Sequence, residues 1–231
     1  PGSYSEEHPH IEDSDRWSKK LVWHFDPVDG TAEFCAKMNT GYALNAALLK
    51  KREDESYFPV AGIVYRPGDD SLLYNDGLET HFMRDGKELD LEQPSRTNVN
   101  GWIRKVDPSS KLKEFYDNVG AHFFIKAQEV PCGGIGASIV DLIEGKINVL
   151  AYNYNVTREW DWAMAVPIIR SLGGYVCDLR GNEIHNFNRP EMPDKSQYDL
   201  NGMLASIAFT REELLSQVPD NIIEDRLPKS F

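Results

Sequence analysis

The stretch FDPVDGTAEF, Phe25 to Phe34, sets three carboxylates, Asp26, Asp29 and Glu33, within eight residues, with Pro27 and Gly30 among them. Carboxylates this close repel one another unless something positive lies between them. Hard divalent cations such as Mg²⁺ take oxygen ligands, mostly carboxylates, water and substrate phosphate. Pro27 stiffens the exit from a strand and Gly30 permits a tight turn, so Asp26 and Asp29 can face one space. A helix opening at GTAEF would aim the amides of Gly30 and Thr31 at an anion. A cation site and a phosphate site in one loop suit phosphoryl chemistry. Taken alone, the loop reads equally well as a surface turn, because Asp, Pro and Gly are common turn residues.

Other residues can be weighed in the same way. YSEEH carries Glu6 and Glu7, by themselves a solvated pair. REWDWAMAVPIIRSLGG carries Asp161 at the start of an apolar helix, where an N-cap is the structural reading. Gly133 and Gly134 precede a helix and serve either a close backbone approach to a ligand or a plain turn. Arg158 and Glu159 stand just ahead of Asp161; charges are more often simply solvated. Cys35, Cys132 and Cys177 are odd in number and have no metal-type spacing, which points to a reducing compartment and a structural or incidental role.

The elements that must position these groups read as follows. Residues 1–20 are polar and acidic and read as a loop. LVWHF, 21–25, is a strand entering the acidic loop, and 41–51 is a buried strand. Residues 59–77 form a hairpin around Pro67-Gly68-Asp69-Asp70, and Asp85-Gly86 tips a further strand pair. Beyond residue 100 the pattern alternates. GWIRKV is a strand, SSKLKEFYDNV a helix capped by Ser109 or Ser110, IGASIVDLIEGK a helix with Gly145 past its end, and INVLAY a strand. DWAMAVPIIRSLGG is a helix opening at Asp161 and stopping at Gly173-Gly174. YVCDL and GMLASIAF are strands, and TREELLSQV is a helix capped by Thr210. Consecutive antiparallel strands followed by alternating strands and helices predict an α+β or α/β protein, with an N-terminal part over 1–98 and a C-terminal α/β part over 99–231.

The chain has 231 residues, 41% of them hydrophobic and 27% charged, with a formal net charge of -12. That is globular composition with enough length for a sizeable core. So acidic a surface argues against binding a nucleic acid polymer, while a bound cation would still admit a small phosphorylated ligand. With no apolar run of membrane-spanning length and no signal-peptide pattern, the expectation is a soluble cytoplasmic protein with no membrane partner.

Taken together, Ser5-Glu6-Glu7, then Asp26-Pro27-Val28-Asp29-Gly30-Thr31, then Trp160-Asp161 with Gly173-Gly174 resemble the inositol monophosphatase superfamily. Glu6 stands twenty residues before Asp26, the family's spacing, and GGIGASIVDLIEGKINVL is similar to its glycine-led helix and following strand. The resemblance covers nearly the whole chain. It implies the layered α-β-α-β-α sugar-phosphatase fold and a lithium-sensitive, Mg²⁺-dependent phosphomonoesterase, often a homodimer. Carried over, Glu6, Asp26, Asp29, Asp161 and the carbonyl of Val28 would hold two or three Mg²⁺ ions. Glu6 and Thr31 would orient the attacking water, with Glu7 behind them. Gly30 and Thr31 would hold the phosphate, with Gly133, Gly134, Arg158 and Glu159 near the substrate.

The branch signals conflict. DGTAEF is similar to the DGT-x-EF of 3'(2'),5'-bisphosphate nucleotidases, whose glycine-led helix tends to carry a lysine where Ser138 stands. Pro167 is shared with histidinol-phosphate phosphatase-like members. The substrate is therefore inositol monophosphate-like, a nucleoside 3',5'-bisphosphate or, as an alternative, histidinol phosphate. Family members also begin with paired helices ahead of the Glu-Glu element, and here the chain starts at Pro1. The expectation is a fragment, with a naturally short protein or helices supplied by another chain as alternatives. A non-catalytic, partner-dependent binding or scaffold protein of the same fold is the competing function. An EF-hand Ca²⁺ protein fails for want of its alternating oxygen ligands.

Overall fold

The computed structural model describes residues 2–5, 18–91, 101–104, 111–123, 127–130, 133–152, 159–182 and 203–219. Seven strands form one sheet in chain order: β1 (Gly2–Ser5), β2 (Leu21–Asp29), β3 (Ala43–Lys51), β4 (Tyr57–Arg66), β5 (Ser71–Asn75), β6 (Thr80–Arg84) and β7 (Lys87–Leu89). β1 runs parallel to β2, and every other neighbouring pair is antiparallel. From β3 to β7 short connections give simple up-and-down order. Pro67–Asp69 makes a 3₁₀ turn that Asp70 leaves at φ 48°, and Asp85-Gly86 turns with φ 49° and 70°. Left-handed backbone at both central positions is what a tight hairpin requires.

Alternation decides what each face buries. Val22, Ala47, Leu49, Val64, Leu73 and Phe82 point into the core. Trp23, Leu48, Ile63 and Leu72 are half-buried on the opposite face, beside the more exposed Phe25 and Leu44. Two helices cover the inner face, α3 (Ile135–Ile143) and α5 (Ala165–Ser171), and both touch β4. Behind them lies a three-stranded sheet in the order β10 (Val149–Tyr152), β12 (Met203–Ser206), β11 (Tyr175–Cys177). A second apolar cluster, with Phe115, Tyr116, Leu204, Phe209 and Leu214, joins this sheet to α2 (Lys111–Phe123) and α6 (Arg211–Leu215). Thr210 caps α6 in a full capping box with Glu213. β8 (Gly101–Arg104) and β9 (Ala127–Val130) form a separate parallel pair. The described layers thus run sheet, helix pair, sheet, helices.

Four readings from sequence need correction. Gly2–Ser5 is a strand rather than loop; four small or polar residues on a parallel edge offer no apolar alternation to read. β2 continues past Phe25 to Asp29, so the acidic segment begins inside the sheet. β9 was missed for the same reason as β1. The helix expected from Asp161 begins earlier, as α4 (Glu159–Trp162), and breaks before α5. Pro167 sits in the first turn of α5, where its missing N–H costs no helical bond. Gly62 allows the break to lie on the sheet, since a Cβ there would come within 2.2 Å of the Met164 carbonyl oxygen. The expected Ser109 or Ser110 cap lies outside the described residues.

Candidate metal centre and active site

Asp26 and Asp29 are three residues apart on one strand, which with the period of two would place them on opposite faces. The register shows how they come together. Asp26 pairs with Asn45 and Asp29 with Ala43, so β2 holds one more residue than β3 across this interval. A bulge of one residue returns Asp29 to the face of Asp26. Pro27 sits in the bulge and has no N–H to offer the ladder. The Val28 amide leaves the ladder too, donating to Asp26 Oδ1 at 3.0 Å.

Gly30 then turns the chain with φ 87° and opens α1 (Thr31–Cys35). No other residue suits this corner: besides the positive φ, a Cβ would lie 2.7 Å from the Gly41 oxygen and 2.8 Å from the Gly134 nitrogen. No side chain caps the first turn of α1. The Thr31 hydroxyl donates to the Val28 carbonyl at 3.1 Å, which ties those two groups to one another.

Asp29 is held from three directions. The Ile135 amide donates to its Oδ1 at 3.0 Å, and the Gly136 amide to its Oδ2 at 2.5 Å. The Asn45 side-chain amide reaches the same Oδ2 at 2.9 Å. The N-terminus of α3 therefore ends on this carboxylate, where both its unpaired amides and its dipole favour negative charge. Gly134 makes this approach possible, since a Cβ on it would lie 2.5 Å from Asp29 Oδ1; its own amide donates to the Gly41 carbonyl at 2.8 Å. Gly133 lies against the same Gly41 oxygen.

Asp161 arrives from α4, in its first turn. Asp26, Asp29 and Asp161 are 1%, 6% and 9% exposed, and one oxygen from each lies within 4.8 Å of the others. At that separation and an effective dielectric of about 20, two carboxylates repel by roughly 3 kcal/mol. Three buried carboxylates so close call for a cation or shared protons. All the donors are oxygen, which fits a hard cation such as Mg²⁺. The structure thus brings together Asp26, Val28, Asp29, Gly30, Thr31, Gly133, Gly134 and Asp161. Glu159 opens α4. Glu6, Glu7 and Arg158 lie outside the described residues, although β1 ends at Ser5, paired with Phe25 beside Asp26. Sequence reasoning passed over Asn45. The signal was there, a lone amide in the apolar run ALNAALL.

A model of the inositol monophosphatase family matches residues 2–214. The chain belongs to this family. Its resemblance to 3'(2'),5'-bisphosphate nucleotidase 1 of Rattus norvegicus reaches 25% identity over 228 residues, 90% of this chain and 64% of that protein. Against inositol monophosphatase 3 of Danio rerio it is 24% identical over 208 residues, 87% of this chain and 54% of that one. The family member described here therefore spans less than two thirds of the length of the curated relatives it matches. Among solved structures, inositol monophosphatase II of Staphylococcus aureus superposes with a TM-score of 0.68 at 20% identity, covering 99% of this chain and 80% of its own. These similarities establish the family's α+β fold.

Proposed function

We propose that this chain carries the catalytic site of a Mg²⁺-dependent phosphomonoesterase acting on a small phosphorylated metabolite. The observation that carries this reading is the meeting of Asp26, Asp29 and Asp161 within 4.8 Å, from β2 and α4, with the first turn of α1 beside them. Two comparisons support it. An IMPase/NADP phosphatase solved with Mg²⁺ and phosphate shares the fold at a TM-score of 0.65, and several curated relatives are named 3'(2'),5'-bisphosphate nucleotidase. The DGTAEF signature points the same way, so a nucleoside 3',5'-bisphosphate is the first substrate to try and an inositol monophosphate the second.

In this reading Asp26, Asp29, Asp161 and the Val28 carbonyl would hold the cation, with Glu6 from the segment that follows β1. What the ion supplies when bound is a water of lowered pKa and positive charge against the phosphate oxygens. The chain's own groups do the rest. Glu6 would accept the proton of the attacking water, and the Thr31 hydroxyl, which donates to the Val28 carbonyl, would accept a hydrogen bond from that water and help aim its oxygen at phosphorus. The uncapped amides of the first turn of α1 receive the charge that builds on the equatorial phosphate oxygens. Gly30 lets that turn approach without a side chain in the way.

Phosphate release from adenosine 3',5'-bisphosphate, inositol 1-phosphate, histidinol phosphate and fructose 1,6-bisphosphate, each with and without Mg²⁺, tests the proposal. We expect Mg²⁺-dependent, lithium-inhibited release from one of the first two. Release from none of the four would leave a binding or scaffold role as the better account.

A further inference from the structure

Asn45 is 3% exposed in the middle of β3, among Ala43, Ala46 and Ala47, where an apolar side chain would fill the space without polar atoms to satisfy. Its amide nitrogen donates to Asp29 Oδ2, yet no hydrogen-bond partner reaches its own Oδ1 among the described residues. That oxygen faces Gly136, where a Cβ would come within 2.0 Å of it. The orientation is fixed chemically, because the reverse flip would set two oxygens against each other. Asn45 also stands directly across the sheet from Asp26, and its amide reaches the far side of the bulge to Asp29. One side chain thus ties the Asp29 carboxylate, beyond the bulge, to the strand beside it. A buried acceptor left unsatisfied is unfavourable. The fold keeps Asn45 although a leucine of similar size would avoid that cost.

We infer that Asn45 is a positioning residue for the metal centre: its donated hydrogen bond fixes the Asp29 carboxylate in the orientation that ligates the cation. This rests on the metal reading above. Groups that orient a ligand in this way typically contribute 10–100-fold to metal affinity. Gly136 belongs to the same device, since its missing Cβ leaves room for the amide.

Calorimetric titration of Mn²⁺ into the full chain tests this, with thermal unfolding in EDTA alongside. Asn45→Leu keeps the volume and removes the donor. Asn45→Thr suits a strand but has a hydroxyl too short to reach Asp29, and it decides the matter if the leucine variant does not fold. The expected result is a Kd for Mn²⁺ raised about 10–100-fold in both variants, with metal-free unfolding within a few degrees of wild type. A role confined to packing predicts the reverse, altered unfolding with an unchanged Kd. Wild-type Kd values in folded variants would overturn the assignment and leave the metal centre standing. A wild-type chain that binds no Mn²⁺ would overturn the metal centre and this inference together.

Discussion

Replacing Arg66 by methionine tests how the far end of α3 is anchored. Arg66 is fully buried at the end of β4. Its Nε and Nη2 fork onto the two oxygens of Asp69 at 2.9 and 2.5 Å, Nη1 donates to Asp141 at 2.7 Å, and Nη2 reaches Glu144 at 3.0 Å. A weaker contact joins Nη1 to the Ala137 carbonyl at 3.4 Å. Asp141 and Glu144 belong to the end of α3, so the same helix that grips Asp29 at its start is pinned by Arg66 at its finish. Removing one partner of a buried ion pair costs about 3–5 kcal/mol. The carboxylates keep Arg84 and Lys146 and are 11–25% exposed, so they can rehydrate, and the lower value, about 3 kcal/mol, applies. For a domain of this size that is a fall in Tm of roughly 6–12 °C.

The loss is pH-dependent in a definite direction. Burial alone would raise the Asp69 carboxyl, but hydrogen bonds from Arg66 and Ser71 and the charges of Arg66 and Arg84 hold it below the usual range. Burial likewise opposes Glu144, and hydrogen bonds from Lys146, Arg84 and Arg66 bring it down. A folded-state pKa below the unfolded one gives stability that is complete above the unfolded value, about 4, and is lost as pH falls through the folded value. The penalty of Arg66→Met should therefore be full at pH 7 and shrink below about pH 4. Urea unfolding followed by tryptophan fluorescence at both pH values measures it. A penalty under about 1 kcal/mol at pH 7, or one that does not diminish in acid, would refute this account of the cluster.

Four further outcomes are expected. Asp161→Asn should keep the fold and lose roughly 100-fold or more of Mg²⁺-dependent hydrolysis, since ligand loss exceeds the usual effect of outer groups; wild-type rate and Mg²⁺ dependence would reduce Asp161 to a helix residue. Gly30→Ala meets a left-handed φ and two backbone atoms inside 2.8 Å, so circular dichroism melts should show a loss of about 2–4 kcal/mol together with lost metal binding. Gly62→Ala drives a methyl into the Met164 carbonyl and should cost about 1–3 kcal/mol while raising the metal Kd, because the break it supports directly follows the short helix that carries Asp161. Thr210→Ala removes the α6 capping box and should cost about 1 kcal/mol in melting experiments with hydrolysis unchanged.

What the sequence made legible follows from local chemistry. The hairpins at Pro67–Asp70 and Asp85-Gly86 announce themselves because few residues adopt their backbone, and the acidic segment because few structures gather so many carboxylates. Less was visible where tertiary partners decide. β1 and β9 exist only through parallel pairing to strands distant in sequence, and GSYS or AQEV has no pattern that demands it. The split of 159–171 depends on Gly62, a residue about a hundred positions away. Asp26 and Asp29 were recognisable as a pair, yet the bulge that sets them on one face depends on Asn45 and Ala43 across the sheet. Asn45 itself needed the structure, for its role is defined by the oxygen it touches.

The most direct measurement is phosphate release from adenosine 3',5'-bisphosphate and inositol 1-phosphate by the full chain across a Mg²⁺ titration, with Asp29→Asn beside it. The expected rate saturates with Mg²⁺, falls to background in EDTA and stays near background in the variant. Release indifferent to Mg²⁺ and to Asp29, or no release at saturating Mg²⁺, would contradict it.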